Sequence, residues 1–267
     1  MDSLALFGAG KLGEALLSGL RRAGRSPEEI VVVERSEERA QYLLERYDVR
    51  AVPASEAVAH ARTLIIAVKP QDVGGLLDTL APLVVPEQLV VSVAAGIPTK
   101  YYEQRLAEGV PVIRVMPNTP ALVDEAMSVL SAGAHAEEKH LAAAEALLRP
   151  VGKVRRLPES QQDAVTALSG SGPAYFFFLV EAMIDAGILL GIPREVAADL
   201  IVQSALGAAT MLRDSGQHPV QLREAVTSPG GTTIAAIREL ERHGVRAALL
   251  DAIEAARDRS TELGHLY

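Results

Sequence analysis

The stretch SLALFGAGKLG, residues 3–13, decides the fold of this chain. Its apolar run SLALFG (3–8) predicts a buried strand, and Gly8, Gly10 and Gly13 follow in the spacing G-x-G-x-x-G. The first glycine allows a tight turn, the second leaves room for a pyrophosphate, and the third lets the next helix pack on the strand. An ordinary glycine-rich turn is the alternative, but the motif here lies between a strand and the amphipathic segment KLGEALLSGLRRAG (11–24). It therefore predicts a dinucleotide-binding loop whose contacts are Gly8, Ala9, Gly10, Lys11, Leu12 and Gly13.

Further strands and helices alternate along the first half of the chain. The second amphipathic helix is predicted at SEERAQYLLERY (36–47). Continuous apolar character, without alternation, is typical of parallel strands covered on both faces. The pattern predicts an α/β fold with an N-terminal doubly wound parallel sheet of the Rossmann type. The strands are predicted at IVVVE (30–34), TLIIAV (63–68), LVVSVA (89–94) and VIRVM (112–116).

The end of the second predicted strand bears on the choice of cofactor. Glu34 lies 21 residues after Gly13 (34 − 13), close to the spacing expected for the acid that binds the ribose 2′-hydroxyl of NAD. Arg35 and Ser36 follow at once, and an arginine with a hydroxyl could hold the 2′-phosphate of NADP. Ser36 could instead be the N-cap of the next helix, with Arg35 exposed. The sequence favours NADP(H), with NAD(H) left open.

Three later strand ends are predicted to form ligand loops, because ligands bind outside the carboxyl ends of the strands in open α/β sheets. Lys69 is as compatible with a plain surface position as with a cofactor contact. The loop MPNTPAL (116–122) is also compatible with a simple rigid turn. The predicted cofactor contacts in these loops are Ala67, Val68, Lys69, Pro70, Val93, Ala94, Ala95, Gly96 and Asn118.

The composition excludes several classes of function. The 267-residue chain has a formal net charge of −8 and an isoelectric point near 5.3, which argues against nucleic-acid and anionic-membrane binding. It has no cysteine, so disulfides, thiolate nucleophiles and cysteine metal sites are excluded. The six histidines form no HExxH motif, and surface positions are expected for them in preference to a metal site. No signal peptide and no bilayer-spanning apolar run is identified, so a cytoplasmic protein is expected.

The second half is predicted to be helical. The boundary is placed at Pro158, giving a dinucleotide-binding domain over residues 1–158 and a helical domain over 159–267. A long apolar helix is expected over 161–191, interrupted by SGSGPAY (169–175), and another over 194–216. A helix that is apolar nearly all round must be buried, and a domain of this size hardly covers such helices alone. We therefore expect a homo-oligomer built on these helices, with a compact monomeric bundle as the alternative.

The segment TSPGGTTIAAIRELE (227–241) predicts an anion site. It begins as a loop and continues as a helix, and the first amides of a helix have no internal partner. These amides and the helix dipole favour an anion, and glycines let it approach the backbone. Helix capping by Ser228 or Thr232 is the simpler alternative. The two glycines favour the anion site.

In order along essentially the whole chain, GAGKLG, AVKPQ, SVAAGI, MPNTP, ALSGSGPAYFFFLVEAM and LREAVTSPGGTTIAAIREL resemble the pyrroline-5-carboxylate reductases. The resemblance implies an oxidoreductase acting on CH–NH donors, which reduces (S)-1-pyrroline-5-carboxylate to L-proline with NAD(P)H in the last step of proline biosynthesis. It implies a C-terminal domain that dimerises through interlocking helices, with larger assemblies such as decamers in the family. It also implies that the substrate carboxylate binds at Ser228, Gly230, Gly231, Thr232 and Thr233.

This chain departs from its relatives at named positions. Lys11 and Leu12 stand where asparagine and methionine are frequent, and Ala225 stands where some relatives have asparagine. The sequence Glu34-Arg35-Ser36 prevents a direct transfer of cofactor preference from the family.

The resemblance suggests one catalytic residue. Thr233 is expected to hydrogen-bond to the ring nitrogen, while the amides of Thr232 and Thr233 hold the carboxylate. Glu181 and Asp185 are candidate polar neighbours for which surface positions are favoured. The nucleotide domain of one subunit is expected to meet the helical domain of its partner.

Two rival functions fit part of this pattern, and the sequence argues against both. A 3-hydroxyacid dehydrogenase would need a lysine on the first helix of its second domain, and LSGSGPAYFFFLVEAM has none. A non-catalytic NADP-binding regulator would have no reason to keep SPGGTT.

Overall fold

The apolar strands of the first half form one sheet in the computed structural model, which describes residues 3–267. The strand order is β3-β2-β1-β4-β5-β6-β7-β8. β1 to β6 are parallel neighbours, β7 runs antiparallel to β6, and β8 runs parallel to β7. The strands are β1 (Leu4–Phe7), β2 (Ile30–Val33), β3 (Arg50–Ala51), β4 (Thr63–Ile66), β5 (Leu89–Ser92), β6 (Val112–Met116), β7 (Ala126–Ala132) and β8 (Gly152–Arg156).

The five predicted strands are confirmed, and they are buried on both faces as expected for a Rossmann sheet. In β1, Leu6 packs in one apolar cluster and Phe7 in a second cluster. Since neighbouring residues of a strand point to opposite faces, the two clusters are the two covered sides of the sheet. Phe7, Val33 and Ile66 are in register, so β1, β2 and β4 end side by side.

Helices cover the sheet and make up the rest of the chain. The helices predicted over 11–24 and 36–47 are observed as α1 and α2. In the second half, the long helix predicted over 161–191 is split, with a π-helical turn at Thr166–Gly170. The helices are α1 (Lys11–Arg22), α2 (Glu37–Tyr47), α3 (Ala54–His60), α4 (Pro70–Leu80), α5 (Thr99–Glu103), α6 (Glu138–Leu148), α7 (Gln162–Val165), α8 (Gly172–Leu189), α9 (Arg194–Ser215), α10 (Pro219–Ala225), α11 (Thr232–Arg242) and α12 (Val245–Gly264).

The contacts divide the chain into two compact units. The first comprises Met1–Ser171 together with Ala256–Tyr267, and the second is Gly172–Ala255. The C-terminal residues therefore belong to the unit that holds the sheet. There, Ser260 and Thr261 donate to the Asp163 carboxylate at 2.8 and 3.0 Å, and the Tyr267 ring packs edge-on against Tyr101.

The helical unit has almost no core of its own within one chain. Ala197 is its single buried apolar side chain, and it lies where α9 approaches Gly187 of α8. By contrast, Phe176, Phe177 and Phe178 of α8 are each about two-thirds exposed. Since neighbouring residues of a helix point in different directions, α8 exposes large apolar side chains around much of its circumference, which indicates an interaction surface.

Two helical stretches, 159–189 and 194–215, meet the length and hydropathy criteria for a membrane span. The prediction that no apolar run is long enough to span a bilayer is therefore wrong by the criteria of length and hydropathy. The reason is that alanine, glycine and aliphatic residues follow one another with few charges in both stretches.

Candidate functional site

A cavity of about 700 Å³ lies at the carboxyl ends of β1, β2 and β4. These ends are adjacent because their last residues are in register. Eight of the predicted cofactor contacts line it, namely Gly8, Ala9, Gly10, Glu34, Arg35, Ala67, Val68 and Lys69. Residues of α4 that the sequence analysis did not select, including Gln71, Asp72 and Thr79, also line it. Gln71 and Asp72 directly follow Lys69 and Pro70 at the end of the strand, and this position is the signal from which they could have been predicted.

The glycines of the loop take the three roles that their spacing predicts. Gly8 has a φ of +88°, which side-chain-bearing residues rarely adopt. A Cβ at Gly13 would lie closer than 3.0 Å to the carbonyl oxygen of Gly8, so helix α1 packs directly on the loop. A Cβ at Gly10 would meet nothing within 4 Å, so the space beside it is open. Lys11, Leu12 and Gly13 do not line the cavity, but they form the first turn of α1.

The first turn of α1 is suited to an anion. Gly10 is the N-cap residue and supplies no side-chain cap, and the Glu14 amide makes the first intrahelical bond, to Gly10 at 2.8 Å. The amides that precede Glu14 are therefore the unpaired donors of the helix end. With the open space beside Gly10, these donors fit the diphosphate of a dinucleotide.

The Glu34 carboxylate faces the backbone of its own loop. It accepts hydrogen bonds from the amides of Ala9 at 3.1 Å, Arg35 at 2.8 Å and Ser36 at 3.2 Å. Ser36 is the N-cap of α2 and accepts from the Arg39 amide at 3.2 Å. The Arg35 side chain is 83% exposed and pairs with Asp72 at 3.4 Å. Capping by Ser36 and exposure of Arg35 are thus both observed, as the second interpretation of this segment expected.

A cluster of polar side chains, which the sequence did not predict, holds the glycine-rich loop by hydrogen bonds. Arg39 of α2 donates to the Ala9 carbonyl and to Glu14, and Glu14 also accepts from Tyr42 and Tyr47 at 2.9 Å each. Burial raises the pKa of the Glu14 carboxyl, but the hydrogen bonds from Arg39, Tyr47 and Tyr42 outweigh it and leave that pKa below its usual range. For Tyr42 the direction is opposite, because the hydrogen bond to Glu14 favours the neutral hydroxyl and raises the pKa of Tyr42.

The other predicted cofactor residues lie outside this cavity. Val93 and Ala94 are buried, while Ala95 is exposed and Gly96 turns with a φ of +79°. Pro70 starts α4. Asn118 connects three segments, since its side chain accepts from the Met127 amide at 2.9 Å and donates to Ser169 at 3.2 Å. Pro70, Val93, Ala94, Ala95, Gly96 and Asn118 stay predicted contacts.

In the helical unit, residues 228–233 form the predicted turn and helix start. The Gly231 amide donates to the Ser228 carbonyl at 3.1 Å, and Gly230 has a φ of +66°. Pro229 before a glycine with positive φ is the arrangement of a type II turn. The turn leads directly into α11, whose N-cap is Gly231 without a side-chain cap.

The hydroxyls of this turn are free to bind. Among residues 3–267, no hydrogen bond is formed by the side chains of Ser228, Thr232 or Thr233, so the capping interpretation is wrong. The first amides of α11 and these hydroxyls all offer hydrogen-bond donors at the start of the same helix. Glu181 and Asp185 are exposed on α8, and Asp185 pairs with Arg194 at 3.1 Å.

The histidines form no cluster with metal-binding geometry in the described part of the chain, where no group of three or more His, Asp or Glu side chains could hold an ion. His140 accepts from the amide of Glu137, the N-cap residue of α6, and His218 is itself the N-cap residue of α10 and accepts from the Val220 amide. Burial and the nearby Lys139 charge lower the pKa of His140. These two histidines therefore have structural roles.

Comparison with known sequences gives concordant matches over both units. A family model described as pyrroline-5-carboxylate reductase dimerisation matches residues 159–263, and one described as NADP oxidoreductase coenzyme F420-dependent matches residues 3–96. Pyrroline-5-carboxylate reductases from Mycobacterium tuberculosis are 45% identical over 98% of this chain and 97% of their own length. The Corynebacterium melassecola reductase is 45% identical over 99% of both chains.

Solved structures agree with the sequence matches. A pyrroline-5-carboxylate reductase from Coxiella burnetii superimposes with a TM-score of 0.93 at 34% identity, over 98% of both chains. A Plasmodium falciparum pyrroline carboxylate reductase, whose structure has NADP bound, superimposes with a TM-score of 0.88 at 27% identity, again over 98% of both chains.

Proposed function

The chain belongs to the pyrroline-5-carboxylate reductase family, and on that basis we propose how its residues reduce (S)-1-pyrroline-5-carboxylate to L-proline with NAD(P)H. The observation that carries the proposal is a turn with free amides and hydroxyls at Ser228–Thr233, in a chain that also has a glycine-rich dinucleotide loop. An enzyme that reduces a cyclic imino acid needs one site whose hydrogen-bond donors hold a dinucleotide and another site whose hydrogen-bond donors hold a carboxylate. This chain has one of each.

The cofactor supplies a hydride to the imine carbon. Gly8, Ala9 and Gly10 hold its diphosphate at the start of α1, and Ala67, Val68 and Lys69 line the same cavity. Phe7 and Val33, the last residues of β1 and β2, also line the cavity, so a dinucleotide bound there would lie against apolar side chains. These residues position the cofactor and exclude water, and they take no part in bond making.

The preference for NADP(H) rests on Arg35. Its guanidinium is mostly exposed at the rim of the cavity, and its one ion pair among residues 3–267, to Asp72 at 3.4 Å, leaves other donors free. The Glu34 carboxylate is occupied by three amides and is less available to a ribose hydroxyl. A 2′-phosphate beside Arg35 and the Ser36 hydroxyl fits this arrangement.

Arg35→Ala is expected to raise the KM for NADPH about 10-fold, the effect of losing one charge-assisted contact worth about 1.4 kcal/mol at an exposed site. The KM for NADH should change by less than about twofold, because NADH has no 2′-phosphate. Steady-state kinetics with both cofactors measure this, with Arg35→Lys as the charge-keeping control. An equal rise for both cofactors would contradict the assignment.

The substrate carboxylate binds at the start of α11. The amides of Thr232 and Thr233 and the Ser228 hydroxyl are free donors there. A Cβ at Gly230 would meet nothing within 4 Å, so the backbone is accessible at that residue, and the lack of a side chain at Gly231 makes room for the Ser228 hydroxyl. The Thr233 hydroxyl accepts a hydrogen bond from the N–H of the protonated ring imine and so orients it. A protonated imine is already electrophilic, so positioning supplies much of the rate, up to roughly 7–11 kcal/mol of the barrier.

We propose that the helical unit forms a dimer, and that dimers build larger assemblies such as a decamer. The exposed phenylalanines of α8 and the lack of a core within residues 172–255 support a second copy as the covering partner. A cytoplasmic location and the absence of nucleic-acid and membrane partners stay predictions. For the two apolar stretches, coverage by a second copy is the alternative to a membrane.

Phe177→Asp is expected to weaken the dimer by at least about 100-fold in Kd, because a buried aromatic anchor contributes about 2 kcal/mol or more and a charge there is desolvated. Sedimentation velocity over a dilution series measures it, with Phe177→Leu as the apolar control. A wild-type protein that is monomeric and fully active, or a variant that dimerises like the wild type, would contradict the interface.

The first experiment is to follow the absorbance of NADPH, and separately of NADH, when the purified protein meets pyrroline-5-carboxylate. Rapid oxidation with proline as product is expected, and faster with NADPH. If both cofactors bind and neither is consumed, the substrate assignment fails.

A further inference from the structure

The two peptide units that flank Ala9 in the glycine-rich loop are each held by a side chain. The amide of Ala9, in the Gly8–Ala9 peptide, donates to Glu34 Oε2 at 3.1 Å. The carbonyl of Ala9, in the Ala9–Gly10 peptide, accepts from Arg39 Nε at 3.0 Å and from Arg39 Nη2 at 2.8 Å. Ala9 itself is fully buried. Since one polar group of each peptide unit is fixed by a side chain from the end of β2 or from α2, the backbone on both sides of Ala9 has little freedom to rotate.

Glu34 has little capacity left for a ligand. Its second oxygen, Oε1, accepts from the amides of Arg35 at 2.8 Å and Ser36 at 3.2 Å. A carboxylate offers about four acceptor positions, and three are used within the loop. The carboxylate therefore ties the end of β2 to the loop after β1.

Arg39 is held in place as firmly as Glu34. Its Nη2 also donates to Glu14 Oε2, and its guanidinium lies over the Tyr42 ring with 4.8 Å from the carbon centre to the ring centroid. Glu14 is fixed in turn by the hydroxyls of Tyr42 and Tyr47 at 2.9 Å each. Glu14 lies in the first turn of α1, directly after the loop. The cluster thus connects α2, the loop and the helix that follows it.

We propose that Glu34 and Arg39 are positioning residues that preset the two peptide units flanking Ala9, and with them the amides that follow Gly10, for the dinucleotide diphosphate. The inference rests on the proposed cofactor site and deepens it. Glu34 then acts on the loop and not as a selector of the ribose hydroxyl. Because the diphosphate is common to both cofactors, loss of either side chain weakens NADPH and NADH to the same extent.

The test measures the Kd of NADPH and of NADH by titration of nucleotide fluorescence for the full-length wild type, Glu34→Gln and Arg39→Gln. Both variants are expected to raise both Kd values about 10-fold, with the NADPH-to-NADH ratio unchanged. Arg39→Lys keeps the charge but loses the planar set of donors, so it should recover only part of the affinity. Arg50→Gln, an exposed arginine of β3 that pairs only with Glu56 among the described residues, is the matched control and should change neither Kd.

Each other outcome overturns the proposal. A rise for NADPH alone in Arg39→Gln would make Arg39 a 2′-phosphate ligand, and a rise for NADH alone in Glu34→Gln would make Glu34 a ribose ligand. A lower Tm with both Kd values unchanged would leave the cluster a purely structural role. If Arg39→Gln does not fold, Glu34→Gln and Arg39→Lys decide.

The same measurements keep this inference separate from the reductase assignment. Nucleotide binding is read without substrate, so a wild type that binds both nucleotides and does not reduce pyrroline-5-carboxylate would refute the proposed function alone.

Discussion

Gly13→Ala is expected to raise the Kd for NADPH by more than about 100-fold, which corresponds to about 2.7 kcal/mol. The new methyl group would lie too close to the Gly8 carbonyl oxygen, and that oxygen is backbone and cannot turn away as a side chain could. Gly8 is itself confined, because it has a φ of +88° and lies against Val68 and Ala67. Relief of the clash must move α1 away from the loop, and the diphosphate site is built from both.

The contrast with Gly10→Ala makes the Gly13 prediction specific. A Cβ at Gly10 meets no protein atom within 4 Å, so this variant should keep the Tm of the free protein and still bind NADPH weakly. Gly13→Ala should lose both Tm and binding, since overpacking costs about 1–3 kcal/mol in a close-packed site. Thermal unfolding without cofactor and fluorescence titration with NADPH measure the two effects. Wild-type values for Gly13→Ala in both would refute the packing argument.

Thr233→Ala is expected to lower kcat/KM for pyrroline-5-carboxylate roughly 10- to 100-fold, or about 1.4–2.7 kcal/mol of transition-state stabilisation. The hydroxyl lies in the first turn of α11, beside the free amides, and has no partner among residues 3–267. Its loss removes the group that orients the ring nitrogen but leaves the amides for the carboxylate. The Kd for NADPH should not change.

Thr233→Ser is the matched control for that variant. Serine keeps the hydroxyl at the same helix position, so most of the activity should return. Steady-state kinetics at saturating NADPH, with the Tm measured alongside, separate a catalytic effect from a stability effect. If Thr233→Ala shows wild-type kcat and KM, Thr233 has no catalytic role.

The sequence was sufficient for the central strands and insufficient for the sheet edge beyond them. Strands β1, β2, β4, β5 and β6 are short, predominantly apolar runs because both faces are covered. β8 is GKVRR and is mostly exposed, and charged residues on an edge strand look like loop sequence. β3 has only two residues, too few for a periodic signal.

The candidate site shows the same division between local and long-range information. Glycine spacing and the strand ends predicted the loop and most of the cavity lining. The orientation of Glu34 was not predictable, because it depends on an amide 25 residues away in the chain. The role of Arg39 depends on the distance between α2 and the loop, which no local pattern encodes.

The return of Ala256–Tyr267 to the sheet-bearing unit makes the helical unit an insertion in topological terms. The chain enters Gly172–Ala255 from the nucleotide unit and comes back to it, so that unit is discontinuous in sequence. A fragment ending at Ser171 would keep Asp163 and Tyr101 but lack their C-terminal partners, and one ending at Pro158 would lack Asp163 as well. A minimal nucleotide-binding protein therefore needs a short linker in place of the insertion, with the last twelve residues retained (267 − 255 = 12).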